Sequence, residues 1–456
     1  MQNSIIPQKP IYCKVIGAPH ELNYKAICSF AALGFFLDKD TYWKDERAMT
    51  PATNYSLNDK GAPENEEPYF SWHYTPRNIS FEDAVDEFTN LFESSINEFK
   101  QSKIILPLSG GLDSRTIACA LQKNPKVSAY SYQYKNGINE VDYAAEIARV
   151  CGFSFRAYEI KRGYLWKQID RLAKINACYA EFTHPRQMAI YDELAGMGDV
   201  IIAGHGGDLF FDGMGVIDTL NLDEQVQYLA KKLVRKGGME LADRLWQEWG
   251  LQGTFNNYLL ERLSESLNTI KIDNANARLR AFKSKYYVPR WTQVNMQVFS
   301  SVTEVFAPYF TDAMCNFICT VPEQFLKGRR IQIEYLKRQS PGLAKITWQE
   351  QRPFNLYSYH WNKAPWNLPY RIFDKVKRTT IRREFIERNW ELQFLGVENN
   401  KQLRKNLFYS EESNDFISAE IKTEFLKKFY EKDAVNYSHP LSMLLTLSKF
   451  SEFYLK

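Results

Sequence analysis

KIILPLSGGLDSRTIACALQK, residues 103–123, joins an apolar run to a helix-period segment through Ser109, Gly110 and Gly111. A short apolar run without alternation marks a strand buried on both faces, as in parallel sheets. The unit recurs downstream as strand VSAYSYQY (127–134), helix EVDYAAEIARVCG (140–152), strand FRAYEI (155–160), helix YLWKQIDRLAKINA (164–177) and strand DVIIAG (199–204). Strands alternating with helices predict βαβ units, and so an α/β fold: a doubly wound parallel sheet covered by helices on both faces. Just upstream, SFEDAVDEFTNLFESSINEFKQ (80–101) sets Phe81, Ala84, Val85, Phe88, Leu91, Phe92, Ile96 and Phe99 at helical spacing behind a capping Ser80, which predicts an amphipathic helix.

The flanks read differently. Before residue 75, the apolar pieces IYCKVIG (11–17) and YKAICSFAALGFFL (24–37) are followed by the polar NDKGAPENEEP (58–68), which suggests a small α+β unit ending in turns. After Gly215 the strand signal fades, and segments such as DEQVQYLAKKLVRK (223–236) and AVNYSHPLSMLLTLSKFSEFYL (434–455) predict a mainly helical remainder. Three segments are therefore expected: 1–78, 79–215 and 216–456.

The 456 residues are 45% hydrophobic and 25% charged, the balance of a soluble globular protein. Their 58 basic and 54 acidic side chains give a net charge of +4, too even to indicate nucleic acid or an anionic membrane, so any basic site must be local. The seven cysteines, at 13, 28, 119, 151, 178, 315 and 319, form no CxxC pair and no metal-ligand spacing with the six histidines, which fits a reducing cytoplasm. Met1 to Pro10 lacks the basic-then-apolar order of a secretory signal. The longest apolar run, AICSFAALGFFL, has 12 residues, short of the roughly 20 that span a bilayer. A cytoplasmic protein with neither a nucleic-acid nor a membrane partner is expected.

A glycine pair between strand and helix lets the backbone approach a ligand, and free amides at a helix start attract an anion. Ser109 and Ser114 add hydroxyls; Asp113 adds a carboxylate that suits a phosphate site only if Mg²⁺ lies between the two anions. No lysine follows the glycines, so this is not a Walker loop. SGGLDS, 109–114, resembles the pyrophosphate loop of the PP-loop N-type ATP pyrophosphatases. The resemblance implies contact of ATP with Leu108, Ser109, Gly110, Gly111, Asp113 and Ser114.

VIIAGHGGDLFFDG, 200–213, is similar to the SGxGxDExFGG loop of asparagine synthetases and their β-lactam-forming relatives. That likeness implies that Gly204, Gly206 and Gly207 meet the nucleotide, and that Asp208 works with Asp113 on Mg²⁺ and pyrophosphate. It sets Ser131 and Tyr132, in YSYQY (130–134), beside adenine and ribose, although a Tyr-rich core strand reads equally well; Glu140 and Asp142 read as helix-start acids. EVFAPYFTDAMCNFICTVPEQFLKGRRIQIEYLKR, 304–338, also resembles these synthetases.

The sequence departs from that family in three places. Gln2 stands where the glutaminase nucleophile, a cysteine, would be, and the N-terminal segment resembles only a truncated glutaminase domain. Nitrogen would then come from ammonia, a separate amidotransferase or an amine. His205 replaces a glutamate that handles a proton of the attacking nitrogen; a histidine can do so near neutral pH, or can simply cap the loop. In QEQRPF (349–354), Gln351 takes the place of the family lysine and Arg352 lies beside it; Lys337, with Lys327, Arg329 and Arg330, forms another cationic group, any one of which can be a solvated helix end. His184 reads as a surface-loop residue or a substrate contact, and Tyr286, Tyr287, Arg290 and Trp291 are acceptor-pocket candidates.

The resemblance implies an ATP- and Mg²⁺-dependent amidoligase that acts on a small carboxylate through an acyl-adenylate. A sugar acid of surface-polysaccharide assembly is the expected substrate. Macrolactam formation, asparagine synthesis from ammonia and a catalytically silent nucleotide-binding scaffold stay open. A tRNA-thiolating role is disfavoured by the absence of a cysteine pair and a basic face.

Overall fold

Ile104, Ile105 and Leu106 have no accessible surface, as expected of a central strand. The computed structural model describes residues 12–135, 137, 139–380, 393–408 and 416–455; Gln2 lies outside them. Strand β5 (Ile104–Pro107) pairs in parallel with β6 (Val127–Tyr134) on one side and β8 (Val200–Ile202) on the other. β7 (Ser154–Ile160) continues from β6, and β9 (Glu304–Phe306) from β8, so the all-parallel sheet runs β7–β6–β5–β8–β9. The chain builds outward from β5 and then returns to its other side. At such a reversal the loops leaving adjacent strands part and open a crevice at their carboxyl ends. β5 and β8 flank that reversal, and the two glycine loops of the sequence leave from them.

α2 (Phe81–Asn97) is capped by Ser80, whose hydroxyl accepts from the Asp83 amide at 3.0 Å, and buries Ala84, Val85, Phe88, Phe92 and Ile96. α3 (Leu112–Ala120), α4 (Val141–Cys151) and α5 (Tyr164–Ile175) are the crossover helices of the βαβ units. Ahead of them lie two antiparallel pairs, β1 (Tyr12–Lys14) with β2 (Glu46–Ala48) and β3 (Thr53–Leu57) with β4 (Pro63–Pro68), and the buried helix α1 (Tyr24–Leu33), ended by Gly34 at φ 80°.

Two of the strands that the pattern missed show why. PENEEP forms β4 despite having no apolar face; its backbone pairs with β3, and Glu66 receives Arg47 and, at 3.7 Å, Lys39. β9 is three residues long, too short for any periodicity, and arises from its pairing with β8.

Beyond the sheet the chain is helical, including Leu222–Leu233, Gly238–Glu248, Ala275–Phe282, the π-helix Lys283–Thr292 and the C-terminal Ala434–Tyr454. Among the described residues the larger of two apolar clusters runs from Ala26 to Phe450 through all three expected segments, and a smaller one packs Ile105, Tyr130, Ile201 and Val305 of the sheet against Met296 and Phe299. The N-terminal unit is pinned by polar contacts too: the Tyr42 hydroxyl donates to the Cys178 carbonyl at 2.6 Å, Arg290 donates to the carbonyls of Phe36 and Asp40, and Arg262 pairs with Asp40 at 3.0 Å. Among the described residues no helix is long and apolar enough to cross a membrane.

Candidate active site

Leu108 is itself core, its amide extending the sheet to the Tyr130 carbonyl at 2.8 Å. The next three residues, Ser109 to Gly111, turn. The Ser109 and Ser114 hydroxyls lie 3.1 Å apart, and Ser114 Oγ accepts from the Ser109 amide at 3.1 Å, closing the loop on itself. Gly111 precedes α3 without any side-chain cap, so the first amides of the helix keep the positive end that draws anions. Gly110 is dictated by contact: a Cβ there would fall 2.7 Å from Gln349.

The second loop leaves β8 and enters a one-turn helix, α6 (Gly207–Phe210). Gly206 has φ 97°, and a Cβ on it would lie 2.5 Å from the Phe310 ring, while one on Gly207 would collide with the Asp113 carboxylate. With no side chain in the way, the Asp208 amide donates to Asp113 Oδ2 at 3.2 Å. Gly204 packs likewise, its missing Cβ 3.1 Å from the Ser114 amide. The two loops, about 90 residues apart in sequence, are thus one surface.

A third segment completes it. The turn Lys327–Arg329 is fastened to the second loop by the Gly328 amide, which donates to Asp212 Oδ1 at 2.8 Å. Arg329, held at φ 63°, ion-pairs with Asp113 and donates from Nε to Gln332 at 2.6 Å. Gln332 donates in turn to Asp113 Oδ1 at 3.1 Å and to the Tyr309 hydroxyl at 3.0 Å. Burial pushes the Asp113 carboxyl up to about 6; Arg329 opposes the rise and Asp208 adds to it. Arg280, forked onto buried Glu323, holds the far end of the second loop through the carbonyls of Leu209 (3.3 Å) and Asp212 (3.0 Å).

Below the first loop the Arg115 guanidinium is fully buried and donates to the carbonyls of Gly110, Leu343, Ile346 and Thr347 at 2.9–3.4 Å. It docks the 343–352 segment on the loop. In that segment Gln349 meets Gly110, and Gln351 accepts from Asn362 at 2.8 Å. Arg352 follows. Lys337 instead lies over the Tyr357 ring at 5.4 Å. Of the second cationic group, Arg329 is the member joined to Asp113.

His205 sits in the second loop with its ring 6.3 Å from that of Phe299. Its Nδ1 is buried without a hydrogen-bond partner, and burial holds its pKa below the usual range, against the pull of Asp208. Opposite, the π-helix divides the acceptor candidates. Arg290 binds the N-terminal unit, and the Tyr286 hydroxyl meets Thr269 at 2.9 Å. Tyr287 and Trp291 stack at 5.1 Å, with Arg235 at 5.4 Å and His184 at 4.2 Å from Trp291. Lys283 precedes them by one turn on the same face; burial lowers its pKa while Asp208 raises it. Tyr287, pushed up to about 12 by burial, is opposed by Arg235 and feels Asp208 as well. Lys283 and Tyr287 therefore share the field of Asp208, with Arg235 beside Tyr287 and Trp291, a grouping that sequence spacing did not single out.

At the end of β6, Ser131 is buried and Tyr132 shares its surroundings with Arg186 and Glu140. Glu140 thus stands at the head of α4 facing a cation, where sequence suggested a helix-start acid; Asp142 accepts from the Asn139 amide group at 2.5 Å.

Among the described residues no cluster of three or more His, Cys, Asp or Glu could hold a metal on protein ligands alone. Two carboxylates on touching loops beside uncapped amides do fit Mg²⁺, which is commonly held by one or two carboxylates, with phosphate oxygens and water as its other ligands.

Residues 99–338, just over half of the chain, match the family described as "Asparagine synthase". No curated protein matches the chain. Among solved structures, an NH3-dependent NAD synthetase from Campylobacter jejuni subsp. jejuni NCTC 11168, in complex with the nitrate ion, is 16% identical; the match covers 45% of this chain and 97% of that chain, with a TM-score of 0.22. A likeness at that score carries no argument.

Proposed function

The chain belongs to the asparagine synthase family of ATP-using ligases, and from that premise we propose that it activates a small carboxylic acid as an acyl-adenylate and converts it to an amide. The contact of the Asp208 amide with Asp113 carries this reading, because it joins the two loops into one site with paired carboxylates and open helix amides.

In the proposed reaction a carboxylate oxygen of the acid attacks the α-phosphorus of ATP, and the bond to the β-phosphate oxygen breaks. Pyrophosphate leaves along the first loop, received by the amides of Gly110 and Gly111 and the hydroxyls of Ser109 and Ser114. Mg²⁺, when held by Asp113 and Asp208, offsets the charge of the leaving group. Arg329 and Arg352 supply further positive charge. Arg352, next after the Gln349–Gln351 turn that packs on Gly110, takes the role of the family lysine in this reading. Ser131 and Tyr132 line the nucleotide, and Lys283 and Arg235 hold the acid. An amine or ammonia then attacks the acyl carbon and AMP departs; His205, neutral near pH 7, takes the nitrogen's proton.

With cationic and aromatic side chains on the acceptor wall, a sugar acid is the proposed substrate class, and free ammonia or a separate amidotransferase the nitrogen source. Exchange of labelled pyrophosphate into ATP, stimulated by a uronic acid, supports the proposal. ATP binding without exchange for any carboxylic acid refutes it in favour of a silent scaffold.

A further inference from the structure

Among the described residues sixteen large apolar side chains are exposed, and seven of them fall between 357 and 376. Helix Leu368–Thr380 presents Leu368 (44% exposed), Ile372 (62%) and Phe373 (66%) on one arc, since residues four apart stack along a helix. Arg371 lies on the flank of that arc and is exposed as well. Just before the helix, Trp361 (51%) and Trp366 (63%) stack on each other at 5.9 Å, open to solvent. Singly exposed apolar residues are ordinary, but a continuous patch on an amphipathic helix marks a contact surface.

Charge identifies the partner. From 361 to 380 the sequence has five Lys or Arg against one Asp, an excess of four, equal to the whole chain's +4. Other stretches, such as 327–338, carry the same excess, but among the described residues it coincides with a run of exposed large apolar side chains here and not there. An exposed arc of Leu, Ile and Phe flanked by Arg371, with a Trp pair just before it, suits a helix lying in the plane of an anionic bilayer surface. We infer that Trp361, Trp366, Leu368, Ile372 and Phe373 dock this protein on an anionic lipid surface. The total charge, from which no membrane partner was expected, hides this local excess. The patch is also tied to the candidate site: buried Asn367 donates to Asn362 at 3.0 Å, and Asn362 to Gln351 at 2.8 Å.

Sedimentation of the full chain with phosphatidylcholine vesicles, with and without phosphatidylglycerol, tests this. The anionic vesicles should bind at least about tenfold more protein, and binding should fall as salt is raised. The pair Ile372→Asp and Phe373→Asp should lower it about tenfold with the melting temperature unchanged, because both side chains already face water. Equal binding to both vesicle types, or none, overturns the inference. So does a loss of self-association in the paired variant without any vesicle binding, which would make the face a contact between copies of this chain.

Discussion

Asp113 sits where three distant stretches of sequence meet: its own loop, the Asp208 amide and Arg329. Replacing Asp113 or Asp208 by Asn should lower acid-dependent pyrophosphate exchange about 10²- to 10³-fold, the scale on which a single transition-state charge contact acts. Asp208 is exposed, so Asp208→Asn should melt with the parent protein; an inactive variant that also unfolds would assign it to the scaffold. His205→Gln separates the half-reactions. Exchange should persist while amide formation falls about 10²-fold, the low end for a lost general base; equal loss of both would make His205 a loop cap. Both aspartates and the glycines of the two loops were singled out in sequence from their strand-to-helix context, and the structure brings them together. Arg329 was only one of four cations offered and Lys283 was not singled out, since nothing local distinguishes a cation beside a carboxylate from one in water. Arg329 lies 216 residues from Asp113, and only the folded chain brings them together.

Among elements, the parallel strands and crossover helices were readable from their periods, whereas β9, with three residues, and β4, with no apolar face, arise from pairing. The second loop depends on an element the sequence did not predict, because Phe310 follows β9 and occupies the space that Gly206 leaves open. Gly206→Ala meets both that ring and an unfavourable φ of 97°. It should displace the loop and cost about 2 kcal/mol in urea unfolding, with exchange falling in step. Arg115 is the counterpart under the first loop. Arg115→Leu strands four carbonyls, and at about 1 kcal/mol or more for each buried unpaired group the variant should lose about 3–5 kcal/mol. A shift below 1 kcal/mol would mean that the 343–347 segment docks without it.

At the scale of the molecule, the N-terminal unit and the C-terminal helix close on each other around His439, whose Nε2 lies 2.9 Å from the Ala31 carbonyl. Burial pushes its pKa down to about 3, with the Ala31 carbonyl opposing that fall. An unfolded histidine titrates near about 6.5. Between those values the unfolded chain binds a proton that the folded chain refuses, so stability is full above about pH 6.5 and declines as pH falls toward about 3. His439→Gln should flatten this part of the melting-temperature profile, and parallel profiles would exclude the residue. Composition averaged out the basic, apolar stretch at 361–380, a property of position rather than of totals.

The central claim is that a substrate carboxylate attacks the α-phosphorus at the site formed by the two loops. Once an acid that stimulates exchange is in hand, it can be labelled with ¹⁸O in its carboxylate and turned over with ATP and Mg²⁺. Mass spectrometry of the products should find AMP carrying one ¹⁸O from the acid. Unlabelled AMP, or ADP with labelled phosphate, would contradict the account.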